Sequence, residues 1–203
     1  METITQQLNN CDSTFDNRDN KLSQKIYCAL PAIIQSVNYE NQTLEAKPVT
    51  IMKYSDIDGK QHDFPMPLVV DVPFQCYKGG DFVITVPVQA GDECLLIFTD
   101  VDFSAWFQNG GFNYAEHSFI HSYSNAMAIV GFSSEVNAIP NYSSTSVEIR
   151  TKDSSTKISL SSDNITLKSD TITLDGTTTI QGKKFLEHVH GNGNQGRNTT
   201  GVQ

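Results

Sequence analysis

The sequence predicts an all-β protein in two parts: a small barrel, then a strand-and-turn shaft that three chains must share. Three observations carry this. Short alternating segments separated by turn residues fill the first two thirds of the 203 residues. An Ile-x-Leu unit then recurs every seven residues. The composition is poor in charge (18% Asp, Glu, Lys and Arg) and rich in Ser, Thr, Asn and Gln, which suits β-structure with many turns better than a helical bundle.

Residues 1–27 are polar, with scattered Leu22 and Ile26, and read as an arm or a short docking helix. The texture changes at Leu30. Ala32–Val37 reads as a strand, Asn38–Asn41 as a turn, and Thr43–Val49 alternates as a half-buried strand does. Asp58-Gly59 is a hairpin signal between Ile51–Tyr54 and Phe64–Leu68. Phe82–Val86 and Glu93–Phe98 are two more strands joined through the turn Gln89–Asp92, and Ala126–Val130 is another. Five or more short strands over residues 28–139 suggest a small barrel or sandwich, with an OB-fold-like barrel as the preferred form.

Pro140–Ser144 is a linker-like break. Beyond it Ile158-Ser159-Leu160, Ile165-Thr166-Leu167 and Ile172-Thr173-Leu174 repeat, with Val147-Glu148-Ile149 before and Thr178-Thr179-Ile180 after. A coiled coil would space its apolar residues three or four apart. Here they fall two apart, on one face of a strand, among residues that form helices poorly. One such chain has a single thin apolar row and cannot enclose a core. Three chains wound about one axis, each giving its row to a shared interior over residues 140–182, solve the burial problem and remove exposed sheet edges. A single-chain solenoid would need longer rungs.

Residues 183–203 hold His188-Val189-His190 and a Gly/Asn-rich tail. On an extended strand the two imidazoles face the same way. Two ligands make a weak site, but three copies supply six nitrogens. That saturated octahedral shell disfavours zinc and suits Fe(II), with nickel as the chemical alternative. With no open position, the metal would be a structural rivet. Surface histidines near a terminus are the bland alternative.

Other classes have less support. A net charge of −9 and the lack of a basic stripe argue against nucleic acid. No run of 18 apolar residues suggests a membrane-spanning helix. The first residues lack a basic start and an apolar stretch, so the expectation is a chain made in the cytoplasm. Cys11, Cys28, Cys76 and Cys94 form no CxxC pair and read as buried reduced thiols. A hydrolase would need paired carboxylates or an activated nucleophile; Asp100, Asp102, His117 and His121 are the candidates, and loop residues of this kind are mostly turn formers. A glycan-binding module would use Trp106, Phe107, Phe112 and Tyr114, which are better read as packing between trimerised barrels. The expectation is therefore a protein that is not an enzyme.

The chain resembles the baseplate central spike proteins of contractile-tailed bacteriophages, in the group with a Gp138-type N-terminal domain. The likeness rests on Ala29–Ile34, Val70–Pro73, Gly91–Phe98, Asp102–Trp106 and His121–Ile129, with the repeats and the His188-x-His190 end matching the same proteins' C-terminal part. The resemblance implies an all-β chain: an N-terminal OB-fold-like barrel followed by an intertwined homotrimeric β-helix spike with a metal-capped tip. It implies one structural iron per trimer, bound by His188 and His190 of three chains. It also implies a virion location at the tail tip, a hub, tube or baseplate protein as partner at the N-terminal end, transient contact with the host outer membrane, and perforation of the envelope as the sheath contracts.

Overall fold

The computed structural model describes residues 26–118 and 120–185. The chain divides into two compact units, Met1–Ala138 and Ile139–Gln203. Among the described residues no helix is long and apolar enough to cross a membrane.

The first unit is built on a five-stranded antiparallel sheet of β1 (Ala29–Asn38), β2 (Thr43–Pro48), β5 (Val69–Pro73), β8 (Glu93–Phe98) and β9 (Ala126–Val130), in the order β5-β2-β1-β8-β9. Alternation decides which face is inside. Ala32 and Ile34, Leu44 and Ala46, Cys94, Leu96 and Phe98, and Ala126 and Ala128 all point into one core, which Val69, Val72 and Val88 complete. Tyr27, Phe98 and Tyr123 close one part of it as a ring cluster, with centroids 5.1 to 5.6 Å apart. Burial pushes the Tyr123 phenol up to about 12, with a smaller contribution from Tyr27, and its hydroxyl donates to the carbonyl of Pro67 at 2.5 Å.

Two bulges curl the sheet. Gln35 is unpaired between Ile34↔Ala46 and Ser36↔Glu45, and Val37 then returns toward the core. In β5 the pairs Leu44↔Val72 and Ala46↔Val69 leave one residue too many, and Asp71 takes it up at φ +54°. The curl brings the edge strands together: Phe74 forms a parallel bridge to Ala128, and the Gln75 amide donates to the Ala128 carbonyl at 2.9 Å. The result is a half-barrel, as expected of an all-β domain. Gly91, at φ +95°, makes the turn into β8, where its amide donates to the Ile34 carbonyl at 2.8 Å.

Several expectations need correction. The first hairpin pairs β3 (Ile51–Ser55) with β4 (Gln61–Pro65), so its second strand starts earlier than the apolar run Phe64–Leu68 suggests. The cause is local: Asp56 accepts hydrogen bonds from the amides of Asp58 and Lys60 and from His62, which tightens the turn. Phe82–Val86 is not a barrel strand. Only Phe82–Ile84 is extended, as β7, and it pairs with β6 (Tyr77–Gly79) in a separate exposed hairpin. A short helix, α1 (Ser104–Asn109), lies between β8 and β9. Of the three described cysteines only Cys94 is buried, and burial pushes its thiol up to about 11; Cys28 is exposed and Cys76 half-buried.

In the second unit β10 (Val147–Arg150), β11 (Lys157–Leu160) and β12 (Ile165–Lys168) form an antiparallel meander. The strand-and-turn reading holds for these three. Ile172-Thr173-Leu174 forms no strand, and the chain next pairs in β13 (Thr179–Ile180) with β14 (Lys183–Lys184).

Candidate interaction surfaces

The meander register places Val147 opposite Leu160 and Leu160 opposite Ile165; Ile149 lies opposite Ile158, and Ile158 opposite Leu167. Because side chains alternate, these six aliphatic residues stand on one face as a block two wide and three strands long. All six are exposed, from 50 to 71%. The opposite face is polar and less exposed. Ser159 is buried, and the Glu148 carboxylate bridges Arg150 and Lys157 at 3.0 Å each, which holds its pKa below the ordinary value, with Lys157 contributing most. Among the described residues, every buried apolar side chain lies at or before Ala128. The second unit therefore has no apolar core of its own within them.

His188 and His190 lie outside the described residues, as does Cys11. Among the described residues no group of three or more His, Cys, Asp and Glu side chains is placed to hold a metal. Ile172, Leu174, Thr178 and Phe185 help to line an open pocket of about 350 Å³ that precedes the histidines in the chain.

The loop candidates separate into two pairs. Asp102 is buried, with its side chain 2% exposed; Oδ1 accepts from the Ser104 hydroxyl at 2.6 Å and the Ser104 amide at 3.0 Å, and Oδ2 lies 2.8 Å from Nδ1 of His117. The Ser104 hydroxyl and amide, then His117, hold this carboxyl well below the usual range. A carboxylate so engaged fixes the start of α1, and a group held ionised makes a poor general acid. Asp100 and His121 form the second pair at 3.2 Å, with Asp100 in solvent and His121 at φ +48°. The aromatic candidates sit on α1 and the loop after it. Phe103 meets Trp106 and Phe107 edge-on at 6.5 and 6.4 Å, while Phe112 and Tyr114 are almost wholly exposed.

Sequence reasoning missed the polar network around Arg150 and the exposure of the β6–β7 hairpin, where Tyr77, Phe82, Val83 and Ile84 all face solvent. The lone Arg between two apolar repeats carried a signal, since an arginine within such a pattern needs carboxylate or carbonyl partners.

No curated protein matches the chain. A family model described as the phage protein Gp138 N-terminal domain matches residues 30–131. These limits run from the second residue of β1 to the residue after β9, so the match covers the half-barrel, and it supports a phage tail- or baseplate-type virion protein. Spanning half of the chain, it identifies the protein as a member of the phage Gp138 N-terminal domain family.

Proposed function

We propose that this chain is one of three identical subunits of the central spike of a contractile-tail baseplate, which perforates the host envelope when the sheath contracts. The observation that carries the proposal is the inverted burial of the second unit. Six aliphatic side chains are exposed on one face of β10–β12, while the polar face is partly covered. Burying an aliphatic side chain contributes roughly 1.5–3 kcal/mol, so leaving six half exposed forgoes a sum comparable with a small domain's stability. Three copies about an axis bury all three rows in one dry interior, as an intertwined β-helix.

The first unit is the docking end, an OB-type barrel. The order β5-β2-β1-β8-β9 and the parallel bridge between Phe74 and Ala128 support that type. It joins a hub, tube or baseplate protein, and Trp106, Phe107, Phe112 and Tyr114 pack between neighbouring barrels. The protein is not an enzyme; the engagement of Asp102 by Ser104 and His117 supports that reading.

At the tip, the donor set fits an iron ion. His188 and His190 supply two nitrogens per chain and six per trimer, and the metal's contribution there is a structural cross-link between chains. The test is the molar mass and metal content of the purified protein. The expected result is three 22.5 kDa chains and about one iron per trimer, lost in a His188→Ala/His190→Ala double variant. A metal-free monomer at micromolar concentration overturns the proposal.

A further inference from the structure

Arg150 ends β10 with its side chain only 9% exposed. Nε lies 3.0 Å from Oε2 of Glu148. Nη1 donates to the carbonyls of Thr151 and Lys152 at 3.2 and 3.1 Å and to the Ser154 hydroxyl at 2.9 Å. Nη2 donates to the carbonyls of Pro140 at 2.6 Å and Asn141 at 3.2 Å. Every nitrogen of the fork is engaged, mostly by main-chain oxygens. Such a guanidinium has nothing left for an outside anion, so its work is internal.

What it joins is telling. Pro140 and Asn141 lie at the start of the second unit, and Thr151–Ser154 is the turn that leaves β10. Residues in the left-handed region stand at both anchors, Asn141 at φ +54° and Ser154 at φ +61°. That conformation is costly for non-glycine residues and persists where surrounding contacts over-determine it. The other strands converge on the same turn and carboxylate: Lys157 of β11 binds Glu148 at 3.0 Å, and Nζ of Lys168 of β12 donates to the Ser154 carbonyl at 3.3 Å. β10 is one of the two edge strands of this sheet, so a single ladder holds it and it is open to peeling.

We propose that Arg150 is a clasp that closes the entrance of the second unit, tying the incoming segment at 140–141 to the turn at 151–154 so that β10 cannot peel from that end. Lysine cannot replace it, because an ammonium is a point charge with three donors and cannot fork to both segments. The clasp lies within one chain and does not depend on trimerisation. Its use, resisting unravelling under axial load, rests on the proposed spike.

Hydrogen exchange measured by mass spectrometry on the full chain tests this. In Arg150→Lys, exchange over residues 142–156 is expected to accelerate about tenfold or more, with β1, β8 and β9 unchanged. Unchanged exchange over 142–156 overturns the clasp. Glu148→Ala and Ser154→Ala each remove one partner and are expected to give smaller accelerations in the same segment. They decide the matter if Arg150→Lys does not fold, since no acceleration in either also overturns it. Molar mass measured on the same wild-type sample separates the two ideas. A monomer whose 142–156 segment is protected sinks the trimer and keeps the clasp; a trimer whose segment exchanges freely does the reverse.

Discussion

Asp102 shows what single residues do in this fold. Its buried carboxylate accepts three hydrogen bonds, and its pKa is depressed from the ordinary 3.8 by Ser104 first and His117 after it. Glu93 is depressed from 4.5 in the same way, by the Ser134 amide and hydroxyl and by Asn137. Groups with lowered folded values contribute stability in full above their unfolded values and lose it as pH falls through the folded ones. The barrel is therefore expected to hold steady at neutral pH and to weaken as pH drops below the ordinary 4.5 and 3.8. Asp102→Asn should be less stable at pH 7 and show a shallower acid limb; parallel limbs in urea melts from pH 2 to pH 7 would count against this account. Residues also set the limit of what the sequence discloses. Val70-Asp71 breaks the two-residue period of β5, because a bulge inserts a residue into one strand only. The pattern there does not read as a strand, although Val69 and Val72 both reach the core.

Element by element, legibility follows burial. β1, β2, β8 and β9 were readable because one face of each enters the core and the other faces water, which forces alternation. β6 and β7 have both faces exposed, so nothing in their sequence distinguishes inside from outside. α1 is too short to show a helical period and buries only Ala105. β10–β12 were readable for a different reason: their aliphatic residues alternate with polar ones onto one face, although that face is exposed. The pair of histidines was legible as a ligand pattern, but the chain's described part stops short of it. A substitution in the meander tests the row directly. Ile158 has Ile149 on one side and Leu167 on the other, the centre of the aliphatic block. Ile158→Asp leaves the chain's own hydrogen-bonded register intact but would place a charge in the proposed shared interior, at a cost of several kcal/mol. The expected outcome is a monomer by light scattering with the barrel's near-UV signal retained. Thr166→Asp, on the polar face, should remain associated. If both variants behave alike, the aliphatic face is not the interface.

At the scale of the whole molecule the two units differ in where their stability comes from. The first closes a core from Ala32 to Ala128 within one chain, so its unfolding is a property of that chain. The second, among the described residues, buries no apolar side chain and keeps only a polar network and short strand ladders. Three strands without a buried face are marginal on their own, so under the proposed assembly association adds to what the intrachain network supplies. Association makes stability depend on concentration by mass action, whereas an intramolecular core does not. Calorimetry over a hundredfold range of protein concentration, about 1 to 100 μM, should then resolve two kinds of behaviour. One transition, carrying the aromatic signal of Tyr27, Phe98 and Tyr123, is expected to stay fixed. The other, carrying the β10–β12 amides followed by hydrogen exchange, is expected to rise with concentration, and Ile158→Asp should abolish the rise. Both transitions staying fixed would mean that the second unit folds as an isolated chain, and that its six exposed aliphatic residues are not covered by further copies.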